Sequence, residues 1–223
     1  MADDPARKAH DEQAALVPLL LAMTVVTGAV DAVSILRLGR VFVANMTGNI
    51  AFLGFAAAGA PGFSVPASLV ALGAFLAGAG IGSRIPGSPS RRLLSRITGA
   101  EAVLCAAATV VSVAAAGTAA RYAMTVLLAV AMGAQNATAR KIAVPDMTTT
   151  VLTLTLTGLV ADRPDLGKRG SHTVRRLGAV AAMLTGAVAG ALVVLNTSTG
   201  WALGGATAVL AAVAVVARPR PRP

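Results

Sequence analysis

The chain has 223 residues, of which 56% are hydrophobic and 13% charged, with a mean hydropathy of +0.74. A soluble domain carries roughly a quarter of its residues charged, so this composition excludes a water-exposed globule and describes an integral membrane protein. The 19 Lys and Arg against 9 Asp and Glu give a formal charge of +10, but the basic residues lie in loops between apolar runs, which marks topology determinants rather than a nucleic-acid groove.

At about 20 apolar residues per crossing, the length suits an all-α membrane protein of six to seven transmembrane helices. Residues 1–15 form a polar N-terminal tail containing Asp3, Asp4, Asp11 and Glu12, which does not read as a secretory signal. The first apolar run, Leu16 to Leu36, is about 31 Å long as a helix and carries one charge, Asp31. After Arg37 and Arg40 comes Val41-Phe42-Val43-Ala44-Asn45-Met46-Thr47-Gly48-Asn49, and then apolar sequence to Ala60. Polar, glycine-containing sequence inside a hydrophobic region marks unwound backbone, which membranes tolerate only where protein or a wet cavity supplies partners. Ser64 to Gly82, Ile97 to Ala116 and Arg121 to Ala139 are further helices, the last two joined by a tight turn at Gly117-Thr118. Arg140 and Lys141 precede Val144-Pro145-Asp146-Met147-Thr148-Thr149-Thr150 and ten mostly apolar residues to Val160, which is short for a crossing. Leu177 to Leu195 and Trp201 to Ala217 complete a single transmembrane domain, 16–217, and residues 218–223 are a basic tail.

The chain contains an internal echo. Gly28-Ala29-Val30-Asp31-Ala32 returns as Gly133-Ala134-Gln135-Asn136-Ala137, and the segment Arg40 to Thr47 returns as Lys141 to Thr148. Both matches keep their order and fall at hydrophobic interruptions, as a duplication requires. If each interruption begins a re-entrant half-helix, the Arg-rich segment 83–96, Arg140-Lys141, residues 161–176 and the basic tail all face the cytoplasm. Two halves of opposite orientation, about 16–117 and about 121–217, follow. Inverted repeats with broken helices build transporter sites near the bilayer midplane.

Asn45, Thr47, Asp146 and Thr148 are residue types that start helices, so each interruption reads as a short extended piece followed by a half-helix. The exposed amides at such a start favour negative charge or polar oxygen. Asn45, Thr47, Asn49, Gln135, Asn136, Thr148 and Thr149 form the expected substrate-binding set, suited to a small polar or ionic solute. Asp31 and Asp146 are the expected coupling residues, because a carboxyl facing an intramembrane cavity can bind and release a proton as the solute moves. The structural alternatives are that Asp31 caps a segment or pairs with Arg37 or Arg140, and that Gln135 and Asn136 only join helices. Glu101, beside Arg96, reads as a paired or snorkelling residue near an interface. Gly78-x-x-x-Gly82 and Gly186-x-x-x-Gly190 permit close helix packing. Tyr122 and Trp201 read as interfacial anchors. The lone Cys105 excludes an internal disulfide framework and any multi-thiolate metal site, and no hydrolase, metalloprotease or phosphate-loop motif is present. The expectation is therefore no enzyme, no cofactor and no metal. The expected partners are the lipid bilayer of the plasma or inner membrane and a small polar solute or ion, with homo-oligomerisation open and no nucleic acid. The competing class is a non-transporting membrane scaffold or assembly partner whose polar motifs are structural.

At Gly28-x-x-Asp31-Ala32, Val41 to Asn49, Met132-Gly133-x-Gln135-Asn136 and Thr148-Thr149-Thr150, the sequence resembles the YoaK family, a widespread bacterial group of membrane proteins with a domain of unknown function. The resemblance covers about Leu16 to Ala217. It implies a multi-pass inner-membrane protein of about six spans and brings with it neither substrate nor catalytic residues.

Overall fold

The computed structural model describes residues 15–87, 90–142, 157 and 169–219. Seven helices account for nearly all of them, and there is no strand among the described residues. They are α1 (Val17–Arg37), α2 (Met46–Ala57), α3 (Val65–Arg84), α4 (Arg91–Ala114), α5 (Thr118–Ile142), α6 (Arg169–Asn196) and α7 (Thr199–Val216). Local sequence sets their starts. The side chains of Asn45, Ser64, Ser90 and Ser198 accept the backbone N–H groups of Gly48, Ala67, Leu93 and Trp201, which fills one of the orphan donors at each N-terminus. Gly117, at φ +91°, makes the sharp turn between α4 and α5.

Among the described residues, five helical segments are long and apolar enough to cross a bilayer: α1, α3, α4, Thr173–Asn196 within α6, and α7. The sequence reading placed a further crossing at Arg121 to Ala139. The helix there, α5, has 25 residues, but Arg121, Gln135, Asn136, Arg140 and Lys141 dilute its apolar character. Large apolar side chains point outward along the bundle, among them Val103, Val113, Leu184, Leu192 and Trp201. In water such a surface would drive aggregation; against lipid it is the expected exterior.

Two packed clusters fix the direction of each helix. Leu16, Leu20 and Met23 at the start of α1 meet Leu94 at the start of α4, Ile142 at the end of α5 and Ala217 after α7. This is the first end of the bundle. Val33 and Leu38, at the close of α1, belong with Ala108, Met124, Val194 and Leu203 toward the opposite, second end. Thus α1 and α4 run from the first end to the second, and α5 and α7 return.

Glycine sets the closest crossings. Gly28 of α1 lies against the backbone of Met183 and Ala187, while Gly186 and Gly190 of α6 lie against Val25 and Ala29, with the Cα of Ala29 only 2.7 Å from where a Gly190 Cβ would stand. In the same way Gly133 of α5 lies against Phe75 and Ala79, while Gly78 and Gly82 of α3 lie against Val130 and Ala134. Without side chains the backbones approach and dispersion contacts multiply, which is how membrane helices associate when no hydrophobic driving force separates them from lipid. The residue pairings advance together along each pair, so α6 runs parallel to α1 and α3 runs parallel to α5. The third close pair, α4 with α7, is antiparallel: Arg91 donates to the Val216 carbonyl (3.0 Å), Ser95 to Ala214 (2.7 Å) and the Cys105 thiol to Leu203 (3.6 Å).

Helix α3 therefore starts at the second end, where α1 finished, and residues 38–64, including α2, leave and rejoin the bundle at that same end. Gly39 (φ +102°) and Arg40 (φ +56°) make the reversal, a conformation glycine adopts freely and arginine rarely. Val41 then packs beside Ala67 and Ala71 of α3, with Tyr122 of α5 against them.

Candidate functional site

Asp31 sits six residues before the end of α1, about 9 Å inside it. Its carboxyl is buried, and one oxygen, Oδ1, accepts the backbone N–H groups of both Val43 and Ala44 at 3.0 Å. The descending segment after Arg40 is too short and too irregular to satisfy its own amides, so α1 supplies the acceptor from its side. Asp31 pairs with neither Arg37 nor Arg140: Arg37 instead donates to the carbonyl of Val194 in α6 (2.9 Å). The second carboxylate oxygen, Oδ2, is buried and has no hydrogen-bond partner among the described residues.

Asn49 clamps the other face of the same segment. Its Oδ1 accepts from the Phe42 N–H (2.8 Å) and its Nδ2 donates to the Phe42 carbonyl (2.7 Å), so one side chain replaces both ladder bonds that Phe42 would make in a strand. Asn45 is exposed and caps α2 through the Gly48 N–H at 3.3 Å; Thr47 is exposed on the first turn. The interruption is therefore an irregular segment held by two side chains, followed by a 12-residue helix, where the sequence reading expected an extended piece before a half-helix. Four of the chain's five phenylalanines gather around it: Phe52 lies 5.4 Å from Phe42, 4.9 Å from Phe63 and 6.2 Å from Phe55, ring centre to ring centre.

Gln135 is fully buried and lies one turn further inward. Its Nε2 donates to the Thr27 hydroxyl (2.9 Å), which itself donates to the Met23 carbonyl (3.0 Å). Because Thr27 and Asp31 are four residues apart, both face the same side of α1, and Thr24 and Ser34 extend this buried polar stripe. The Gln135 Oε1 has no partner among the described residues. Asn136, half-buried, donates to the Met132 carbonyl (2.9 Å).

The structure thus gathers Asp31, Asn49 and the Val43-Ala44 backbone at one place and adds Gln135 through Thr27. Asn45 and Thr47 lie outside that group. Asp146, Thr148 and Thr149, with the shorter apolar run after them, lie outside the described residues.

Glu101 requires a correction. It is not an interfacial residue beside Arg96: it is 1% exposed at the middle of α4, and neither carboxylate oxygen has a partner among the described residues. Its spacing could have signalled this, since Leu94, Ile97, Thr98, Glu101, Cys105 and Ala108 follow one helical face and all are buried. Tyr122, read as an anchor, is only partly exposed, whereas Trp201 is exposed at the start of α7.

These features define a helical transmembrane protein with an interrupted, internally braced segment beside α1. The chain belongs to the family described as protein of unknown function (DUF1275), whose model matches residues 19–216. It is 35% identical over 150 residues to the UPF0700 transmembrane protein YoaK of Bacillus subtilis (strain 168), a match that covers 65% of each chain. No solved structure matches it.

Proposed function

We propose that the chain is a secondary transporter of a small polar or ionic solute, built from two inverted repeats, each with a re-entrant segment. The observation that carries this reading is the Asp31 carboxyl gripping unwound backbone inside the bundle while keeping one oxygen uncommitted. Irregular backbone at such depth is tolerated where it borders a cavity or protein partners, and transporters place their sites at such breaks.

The pairing of helices supports the repeat. With α1 matched to α5, α3 to α6 and α4 to α7, the parallel glycine-faced pair of α1 with α6 becomes the parallel pair of α5 with α3, and the antiparallel pair of α4 with α7 maps onto itself. Matched helices run in opposite directions, as inversion demands. Charge supports a cytoplasmic first end: Arg84, Arg91, Arg92, Arg96, Arg140, Lys141, Arg175, Arg176 and Arg218 belong to it by sequence position, against Arg37, Arg40 and Arg121 at the second. By this orientation the protein is a multi-pass inner-membrane protein with residues 38–64 entering from outside.

The scaffold reading has its own support. Asn45, Asn49 and the amide nitrogens of Gln135 and Asn136 are engaged within the protein, as structural residues would be. Thermal unfolding of the purified protein across a panel of polar metabolites and ions separates the two. A transporter gives a saturable rise in Tm with a member of the panel, weakened in Gln135→Ala, and flux of that solute in proteoliposomes. Absence of any stabilising solute, with no flux, favours the scaffold.

A further inference from the structure

We propose that Glu101 is a proton-binding residue at the centre of the bundle, distinct from the Asp31 grip on the interrupted segment. The argument starts from depth. Glu101 is the eleventh of the 24 residues of α4, about 15 Å from the nearer helix end, and is enclosed by protein rather than facing lipid. One turn earlier, Thr98 donates to the Met23 sulfur of α1 at 3.7 Å, which puts these two residues at one level of the bundle. Three residues further along, Glu101 stands at the level of Thr27, and Thr27 is the residue bonded to Gln135.

Donor and acceptor balance gives the occupant. The buried side-chain atoms without partners among the described residues are both Glu101 oxygens, Asp31 Oδ2, Gln135 Oε1 and the hydroxyls of Ser68 and Thr138. Four of these six are acceptors with no hydrogen to offer when the acids are ionised, so they cannot satisfy one another. An ionised carboxyl at this depth also needs a counter-charge, since isolated buried charge costs several kcal/mol even after relaxation. None faces it. On α1 the only charged groups are Asp31 and the terminal Arg37. On α5 they are Arg121, Arg140 and Lys141, near the helix ends, together with the phenol of Tyr122. Helix α7 has no titratable side chain, and α4 itself adds Cys105 one turn away and Arg91, Arg92 and Arg96 toward the first end. A proton taken from the aqueous phase cancels the charge and turns one acceptor into a donor, so that a single hydroxyl hydrogen answers both deficits. An alkali cation would need a shell of several oxygens around it, whereas a proton needs only the carboxyl itself.

The protein offers a clean spectroscopic test, because Glu12 and Glu101 are its only glutamates. Glutamate carrying a 13C-labelled side-chain carboxyl, introduced into an E12Q background in proteoliposomes, reports Glu101 alone in the infrared. The inference expects an isotope-shifted carboxylic C=O band near neutral pH, where an ordinary exposed glutamate is carboxylate. That band should be lost in E101Q and kept in D31N. A carboxylate signal near neutral pH overturns the inference, as does a signal that responds to Na⁺ or K⁺ at fixed pH rather than to protons. Because the label reads the carboxyl in the otherwise native chain, a failure of E101Q to fold leaves the test intact. The readout needs no transported solute, so its outcome and that of the transport reading are separate.

Discussion

Removing the Asp31 side chain tests whether the interrupted segment depends on it. In Asp31→Ala the N–H groups of Val43 and Ala44, both in buried residues, lose their acceptor. Each orphaned buried donor costs about 1–3 kcal/mol, so the pair costs about 2–6 kcal/mol. Against this, Oδ2 is itself unpartnered, and its removal recovers about 1–3 kcal/mol, leaving a net loss on the order of 2 kcal/mol. The loss is local, because the packing of α1 on α6 runs through Gly28 and not through Asp31. Hydrogen–deuterium exchange in nanodiscs should therefore show amides 41–49 exchanging on the order of 30-fold faster in Asp31→Ala, by the factor of ten per 1.4 kcal/mol, with α4 and α7 unchanged. In Asp31→Asn the amide oxygen still accepts, and protection should stay within a few-fold of wild type. Equal exchange of residues 41–49 in wild type and Asp31→Ala would refute the bracing role, and Val43 and Ala44 would then owe their order to packing alone.

Two further perturbations probe the remaining framework. Gly28→Val and Gly133→Val each drive a side chain into the backbone of the partner helix, at Met183 and Ala187 or at Phe75 and Ala79, and each should lower stability by about 1–3 kcal/mol in detergent melts, while Gly73→Ala, with open space around it, should not. Asn49→Ala removes both bonds to Phe42 and should cost about 1–3 kcal/mol, raising exchange at Phe42 selectively, whereas the exposed cap lost in Asn45→Ala should cost about 1 kcal/mol and loosen only the first turn of α2.

The helices were legible because membrane helices announce themselves by length and by the residues that begin them. Asn45, the serine caps and the Gly117 turn sit within a few residues of where hydropathy alone places the boundaries. The importance of Asp31 was legible too, since one acid in an apolar run must find a partner. Its partner was not, because backbone amides of Val43 and Ala44 carry no residue type to recognise. Asn49 looked like a free polar group for the same reason: nothing in an asparagine reveals that both ends of its amide will close on a single residue's backbone. Glu101 was misplaced by weighing sequence proximity to Arg96 over the helical period. Arg96 is five residues away, well over a full turn, while Ile97, Thr98, Cys105 and Ala108 share the buried face.

The glycines show how the two ends of the chain become one body. In α1 the contact point with α6 is Gly28, and in α5 the contact point with α3 is Gly133, the residues that open the two echoed motifs. The same short motif thus carries, within one turn, a bare surface for a parallel neighbour and, three residues on along the adjoining face, a polar position, Asp31 or Asn136. Because α1 takes its close partner from the C-terminal part of the sequence and α3 gives its own to α5, neither half keeps its tightest helix contacts to itself. Residues 38–64 then hang between α1 and α3, two helices gripped by different partners. A shift of the α1 and α6 pair against the α3 and α5 pair would act on the segment that Asp31 and Asn49 hold, because residues 38–64 are the connection between α1 and α3.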